Sequence, residues 1–82
     1  MIYLLTQDNC PKCDNVKMIL DKAFQNKYSD NIQIVHRQTD EKLFMDLVNK
    51  HQIRSTPALI ANDDVLREPS ISNLESFIKK NI

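Results

Sequence analysis

The sequence predicts an α/β domain, a four-stranded mixed sheet with three helices on its faces in β-α-β-α-β-β-α order. Three observations carry this. Short apolar or β-branched runs alternate with longer stretches whose apolar residues recur at helical spacing. The last two strand-like runs are separated by only a few turn-forming residues, the mark of a hairpin. Finally, 82 residues without a repeat, linker or low-complexity stretch make one small domain, residues 1–82.

The elements follow in order. Ile2-Tyr3-Leu4-Leu5-Thr6 is apolar nearly throughout, as a strand covered on both faces would be. Thr6 to Asn9 make a polar loop, and Pro11 suits a first helical turn, where its missing N–H is no loss. The helix is expected over 11–27, with Val16, Ile19, Leu20, Ala23 and Phe24 as its inner face. Ser29-Asp30-Asn31 breaks the chain before a second strand, Ile32 to His36. Thr39 or Asp40 can cap a second helix, with Leu43, Phe44, Leu47 and Val48 inward and an end near Lys50-His51.

After the connector Ile53 to Pro57, Ala58 to Ala61 read as a third strand and Val65 to Arg67 as a fourth. Asn62-Asp63-Asp64 is the turn between them. Ser72-x-x-Glu75 has the spacing of a capping box for a last helix with Leu74, Phe77 and Ile78 inward. Two β-α-β connections predict strands one to three near parallel, with the hairpin adding an antiparallel edge. Without glycine, each turn or helix end that needs a positive φ is expected to use Asn or Asp, as at the breaks Asp8-Asn9, Ser29 to Asn31 and Asn62 to Asp64, or to avoid that geometry.

Composition excludes several functions. Eleven basic and eleven acidic side chains cancel, so a broad basic surface for nucleic acid is not expected. No apolar stretch approaches the roughly 20 residues that span a bilayer. No Gly-rich phosphate loop can exist. No secretory leader is visible, so the expected setting is the cytosol; a monomer is expected. In that reducing compartment a lone C-x-x-C is more often catalytic or metal-binding than structural.

Cys10 and Cys13, the chain's two cysteines, flank Pro11-Lys12 where the first strand gives way to the first helix. Their β-carbons should lie roughly 5–6 Å apart on one helix face, within disulfide reach after modest adjustment. Free N–H groups and the positive end of the helix dipole favour a thiolate there. Cys10, foremost and expected to be exposed, is assigned as an acidified nucleophile, and Cys13, one turn in, as the resolving thiol. Lys12 adds positive charge beside the sulfur, and Pro11 shapes the turn that a substrate would meet. Pro57, after Thr56, opens a strand; its bond is trans by ordinary preference, or cis to shape the wall facing the cysteines. A metal site generally needs four ligands, and only His36 and His51 accompany the cysteines, so no metal is expected within one chain. Two chains pooling four cysteines around one ion, and an adaptor that keeps the fold without turnover, are the alternatives. His36, His51 and Asp8 read as surface, helix-end and turn residues, and Tyr3, Phe24, Phe44 and Phe77 as core.

A C-x-x-C after the first strand, Thr56-Pro57 opening the third, and this element order resemble the glutaredoxins and, more broadly, the thioredoxin superfamily. The resemblance implies a thioredoxin-like fold and reduction of protein or glutathione mixed disulfides. It implies a cis Thr56-Pro57 bond, with the Thr56 backbone facing the bound thiol chain and Pro57 beside Cys10 and Cys13. It also implies glutathione as reductant and targets such as ribonucleotide reductase. Gln7 stands where many glutaredoxins have a lysine for a glutathione carboxylate, and Ser72 and Asn73 stand near their paired acidic residues at the last helix. Pro-Lys replaces Pro-Tyr between the cysteines. In size the chain is also similar to small redoxins that serve ribonucleotide reductase and are reduced by a flavoprotein disulfide reductase.

Overall fold

A computed structural model describes residues 1–82. Its elements are β1 (Ile2–Thr6), α1 (Pro11–Met18), β2 (Ile32–His36), α2 (Glu41–His51), β3 (Ala58–Ala61), β4 (Asp64–Leu66) and α3 (Ile71–Asn81). The strands form one sheet in the order β2-β1-β3-β4. Three of the four strands keep the bounds that their composition predicts. The fourth is shifted one residue earlier at both ends, because the hairpin closes over Asn62-Asp63 alone and Asp64 pairs with Ala61, which leaves Arg67 beyond the strand.

Alternation along each strand sorts the side chains onto two faces. Ile2 and Leu4 of β1 join Leu59 and Ala61 of β3 in a core closed by Val16 of α1 and Leu74, Phe77 and Ile78 of α3. Leu5, Ala58 and Ile60 point the other way, onto Phe44 and Leu47 of α2. Helices thus cover both faces, two on one side and one on the other.

The direction of β3 corrects the expectation. β1 and β2 are parallel, but β3 runs antiparallel to β1, with Leu5 opposite Ala58 and Tyr3 opposite Ile60. The cause is the lie of α2. Its start is tied to the end of β2, where Asp40 N–H donates to His36 O at 2.7 Å. Its end is tied beyond β4, where Arg67 donates to the carbonyls of His51 and Gln52 at 3.1 and 3.2 Å. Eleven helical residues span about 16 Å, close to the roughly 14 Å across four strands. The helix crosses the strands instead of running back along them, so the chain enters β3 from the same sheet edge at which it left β2.

Helix ends depart from the prediction for local reasons. α1 gives way at Ile19 to a wider π-helical turn, Ile19–Ala23, with Phe24 N–H reaching Ile19 O at 3.1 Å. That turn swings Phe24 into the core and leaves Ala23 exposed. Buried Tyr28 meets the Phe24 ring edge-on at 5.8 Å. The chain then reverses through Gln25 and Asn26, both at positive φ, whereas Ser29–Asn31 form a 3₁₀ turn without one. Asn9 and Asn62 take positive φ as the glycine-free composition requires, and Gln52 does so at the end of α2. Asp40 precedes α2 but turns its carboxylate back to His36 N–H, 3.2 Å away, instead of capping the helix. The capping box of α3 lies two residues earlier than its predicted place. Ser70 accepts from Asn73 N–H, and the Asn73 side chain accepts from Ser70 N–H at 2.6 Å. Asparagine, one methylene shorter than the expected Glu, completes it.

Candidate active site

The fold brings Cys10 and Thr56 together from opposite halves of the chain. Cys10 caps α1 in extended geometry, and its Sγ accepts from Cys13 N–H at 3.1 Å. The two cysteines form a disulfide, with Cα atoms 5.2 Å apart, inside the usual range. Across from it the Thr56-Pro57 bond is cis. Cys10 Sγ lies 3.9 Å from Thr56 O and 3.7 Å from Thr56 Oγ1.

The expectation that Cys10 would be exposed is corrected here. It is 8% exposed and Cys13 is 0% exposed. Thr56 and the disulfide partner lie against Cys10 Sγ. The difference still ranks the two: Cys10 keeps some exposed surface and Cys13 keeps none. The N–H of Cys13 aimed at Cys10 Sγ would favour a thiolate over a thiol once the disulfide is opened.

Two grooves meet at Ser55-Thr56. One runs past Lys12, Pro57, Arg67 and Glu68. The other runs past Gln7, Arg37 and Arg54 over a floor that includes Phe44 and Ile53. Pro57 is buried, Thr56 half-buried, and Pro11 and Lys12 exposed on the first turn of α1. Gln7 accepts a hydrogen bond from Arg37 at 3.3 Å. Ser72 and Asn73 are exposed on the first turn of α3 and line neither groove. The Asn73 side chain is engaged by Ser70 N–H and by Glu68 O, to which it donates at 3.0 Å. No three His, Cys, Asp or Glu side chains gather where an ion could sit.

This geometry suits thiol–disulfide exchange. One sulfur caps a helix start, a second is bonded to it from within the first turn, and the Thr56 carbonyl lies 3.9 Å away. The family comparison agrees: the model of the thioredoxin domain matches residues 2–79. The chain belongs to the thioredoxin-domain family. No curated protein matches it. Within this thioredoxin domain the C-x-x-C and the Thr-Pro pair were legible in the sequence.

Other parts of the site were not. His36, which reads as a bland strand-end residue, lies 3.0 Å from Asp8 Oδ1 through Nε2, while its Nδ1 accepts from Gln38 N–H at 3.2 Å. Gln38 in turn accepts from Asp8 N–H at 3.0 Å. The loop that delivers Cys10 is thereby stapled to the turn after β2. Arg37, Arg54 and Arg67 were also missed. Arg37 follows the end of β2, Arg67 follows the end of β4, and Arg54 lies in the connector into β3; with the true direction of β3 all three fall on the Cys10 edge. That edge placement was the available signal.

Proposed function

We propose that this thioredoxin domain is a glutaredoxin-like dithiol–disulfide oxidoreductase, with Cys10 attacking and Cys13 resolving. The observation that supports it most is the Cys10–Cys13 disulfide closed at the start of α1 against Thr56. In the reduced form the Cys10 thiolate attacks one sulfur of a target disulfide. A mixed disulfide forms, and the first target sulfur leaves as a thiolate that takes a proton from water. Cys13 gives up its proton and attacks Cys10 Sγ, which expels the second target thiolate, protonated in turn. Two electrons and two protons have then passed to the target, and the Cys10–Cys13 bond is restored.

The partners we assign are disulfide-containing proteins such as ribonucleotide reductase, met by a cytoplasmic monomer. Electrons come from glutathione or from a flavoprotein disulfide reductase of the thioredoxin-reductase class. The second donor is favoured by one observation: Asn73, near the expected glutathione contacts, has its side chain committed to Ser70 and Glu68.

Two measurements test this. Cys10→Ser should abolish disulfide reduction, while Cys13→Ser should accumulate a mixed disulfide visible by intact mass. Full turnover by the Cys10→Ser protein would refute the assignment. A coupled assay with glutathione and its reductase, set against a thioredoxin-reductase system, chooses the donor: activity with the first alone excludes the flavoprotein route.

A further inference from the structure

The chain is neutral as a whole, yet its three arginines, Arg37, Arg54 and Arg67, all line the grooves beside the dithiol. Lys12 joins them on the α1 side. None of these four cations is in an ion pair; the ion pairs of the chain are made by Lys22, His36, Lys79 and Lys80. Asp8, the carboxylate nearest Cys10 in sequence, is taken up by His36. Glu68 is the sole carboxylate lining either groove. The rim is therefore cationic on both sides of Thr56. Arginine is the side chain that best matches a carboxylate, through its planar fork of N–H donors; Arg67, which also holds the His51 and Gln52 carbonyls, keeps its charge and its remaining N–H donors for it.

The groove on the Arg37–Arg54 side also has an apolar floor of Phe44, Met45, Val48 and Ile53, and Met45 is 39% exposed. A free carboxylate ligand leaves such a floor unused, whereas a peptide can place an apolar side chain on it. From these observations we propose that the grooves bind a protein segment in which acidic residues flank the reacting cysteine and an apolar side chain stands next to them. The segment crosses Thr56, with carboxylates toward Arg37 and Arg54 on one side and toward Lys12 and Arg67 on the other. This assignment rests on the dithiol exchange proposed above and names the substrate class for it.

The test is single-turnover exchange by the full chain, reduced with dithiothreitol and desalted. Disulfide peptides of equal length carry glutamate, glutamine or lysine around the cystine, each with leucine or alanine at the neighbouring position. At low ionic strength the glutamate peptide should react about tenfold faster than the glutamine one, and the lysine peptide slowest. The advantage should shrink at high salt, and leucine should speed the glutamate peptide relative to alanine. Arg54→Gln and Arg67→Gln should each lower the glutamate-to-glutamine rate ratio, whereas Lys79→Gln, on α3, should not. Equal rates for the three charge types overturn the proposal, as does glutathione disulfide reacting as fast as the acidic peptide. Failure of every disulfide, the glutamine peptide included, overturns the oxidoreductase assignment itself.

Discussion

At the scale of single residues, Thr6 is as informative as the cysteines. It ends β1, is wholly buried, and its Oγ1 has no hydrogen-bond partner. A buried hydroxyl without a partner costs about 1–3 kcal/mol, and valine has the same branched shape without the oxygen. Thr6→Val should therefore stabilise the fold by about 1 kcal/mol, a rise in Tm of roughly 4–8 °C for a domain of this size. A fall in the melting temperature of the variant would show that the hydroxyl stabilises the fold. Among single residues, Cys10 and Cys13 were legible by their spacing, whereas the cis bond before Pro57 was implied only by the family resemblance, local preference favouring trans. The burial of Cys10 was not legible, because Thr56, which lies against its Sγ, is 46 positions away.

At the scale of elements, strand bounds were readable because two-residue alternation and β-branched composition are local. Helix ends were less so. The box at Ser70 and Asn73 competes with an equally well-spaced Ser72 and Glu75, and it is at Ser70 and Asn73 that both reciprocal hydrogen bonds form. The end of α2 shows the consequence of having no glycine. Gln52 is left-handed at φ 54°, and Ile53 N–H reaches back to Val48 O at 3.0 Å, which closes a Schellman motif. That turn puts Ile53 into the core and leaves Arg54 exposed beside Thr56. A residue with a β-carbon in this region costs on the order of 1–3 kcal/mol, and glycine gives back part of the gain through greater unfolded-state freedom. Gln52→Gly should raise stability by about 0.5–1 kcal/mol in urea unfolding and leave exchange rates unchanged, since the turn geometry that presents Arg54 is retained. A lower urea midpoint would mean that the Gln52 side chain makes a contribution beyond its backbone conformation.

At the scale of the whole molecule, the direction of β3 is the least legible feature and the one with most effect on the site. It follows from α2 lying across the sheet, which depends on contacts at both edges at once. Only with that direction do residues 37, 54 and 67, each harmless in its own segment, converge on Cys10. The other end of the sheet is held by a different tie, and it makes stability depend on pH in the acid range. Asp64, first residue of β4, accepts from Asn81 Nδ2 at 3.2 Å and pairs with Lys80 Nζ at 3.3 Å, joining the hairpin to the last turn of α3. The hydrogen bond from Asn81, with a smaller contribution from Lys80, holds its carboxyl below the ordinary value of 3.8. A carboxylate more acidic in the folded chain than in the unfolded one stabilises the fold fully above the unfolded value, and the contribution is lost as pH falls through the folded one. Asp64→Asn removes that charge at every pH. The variant should thus unfold at lower urea than the natural chain at neutral pH, and the gap between the two midpoints should close on acidification below 3.8. A gap that stays constant with pH would assign the effect to altered shape at the hairpin and not to the charge on Asp64.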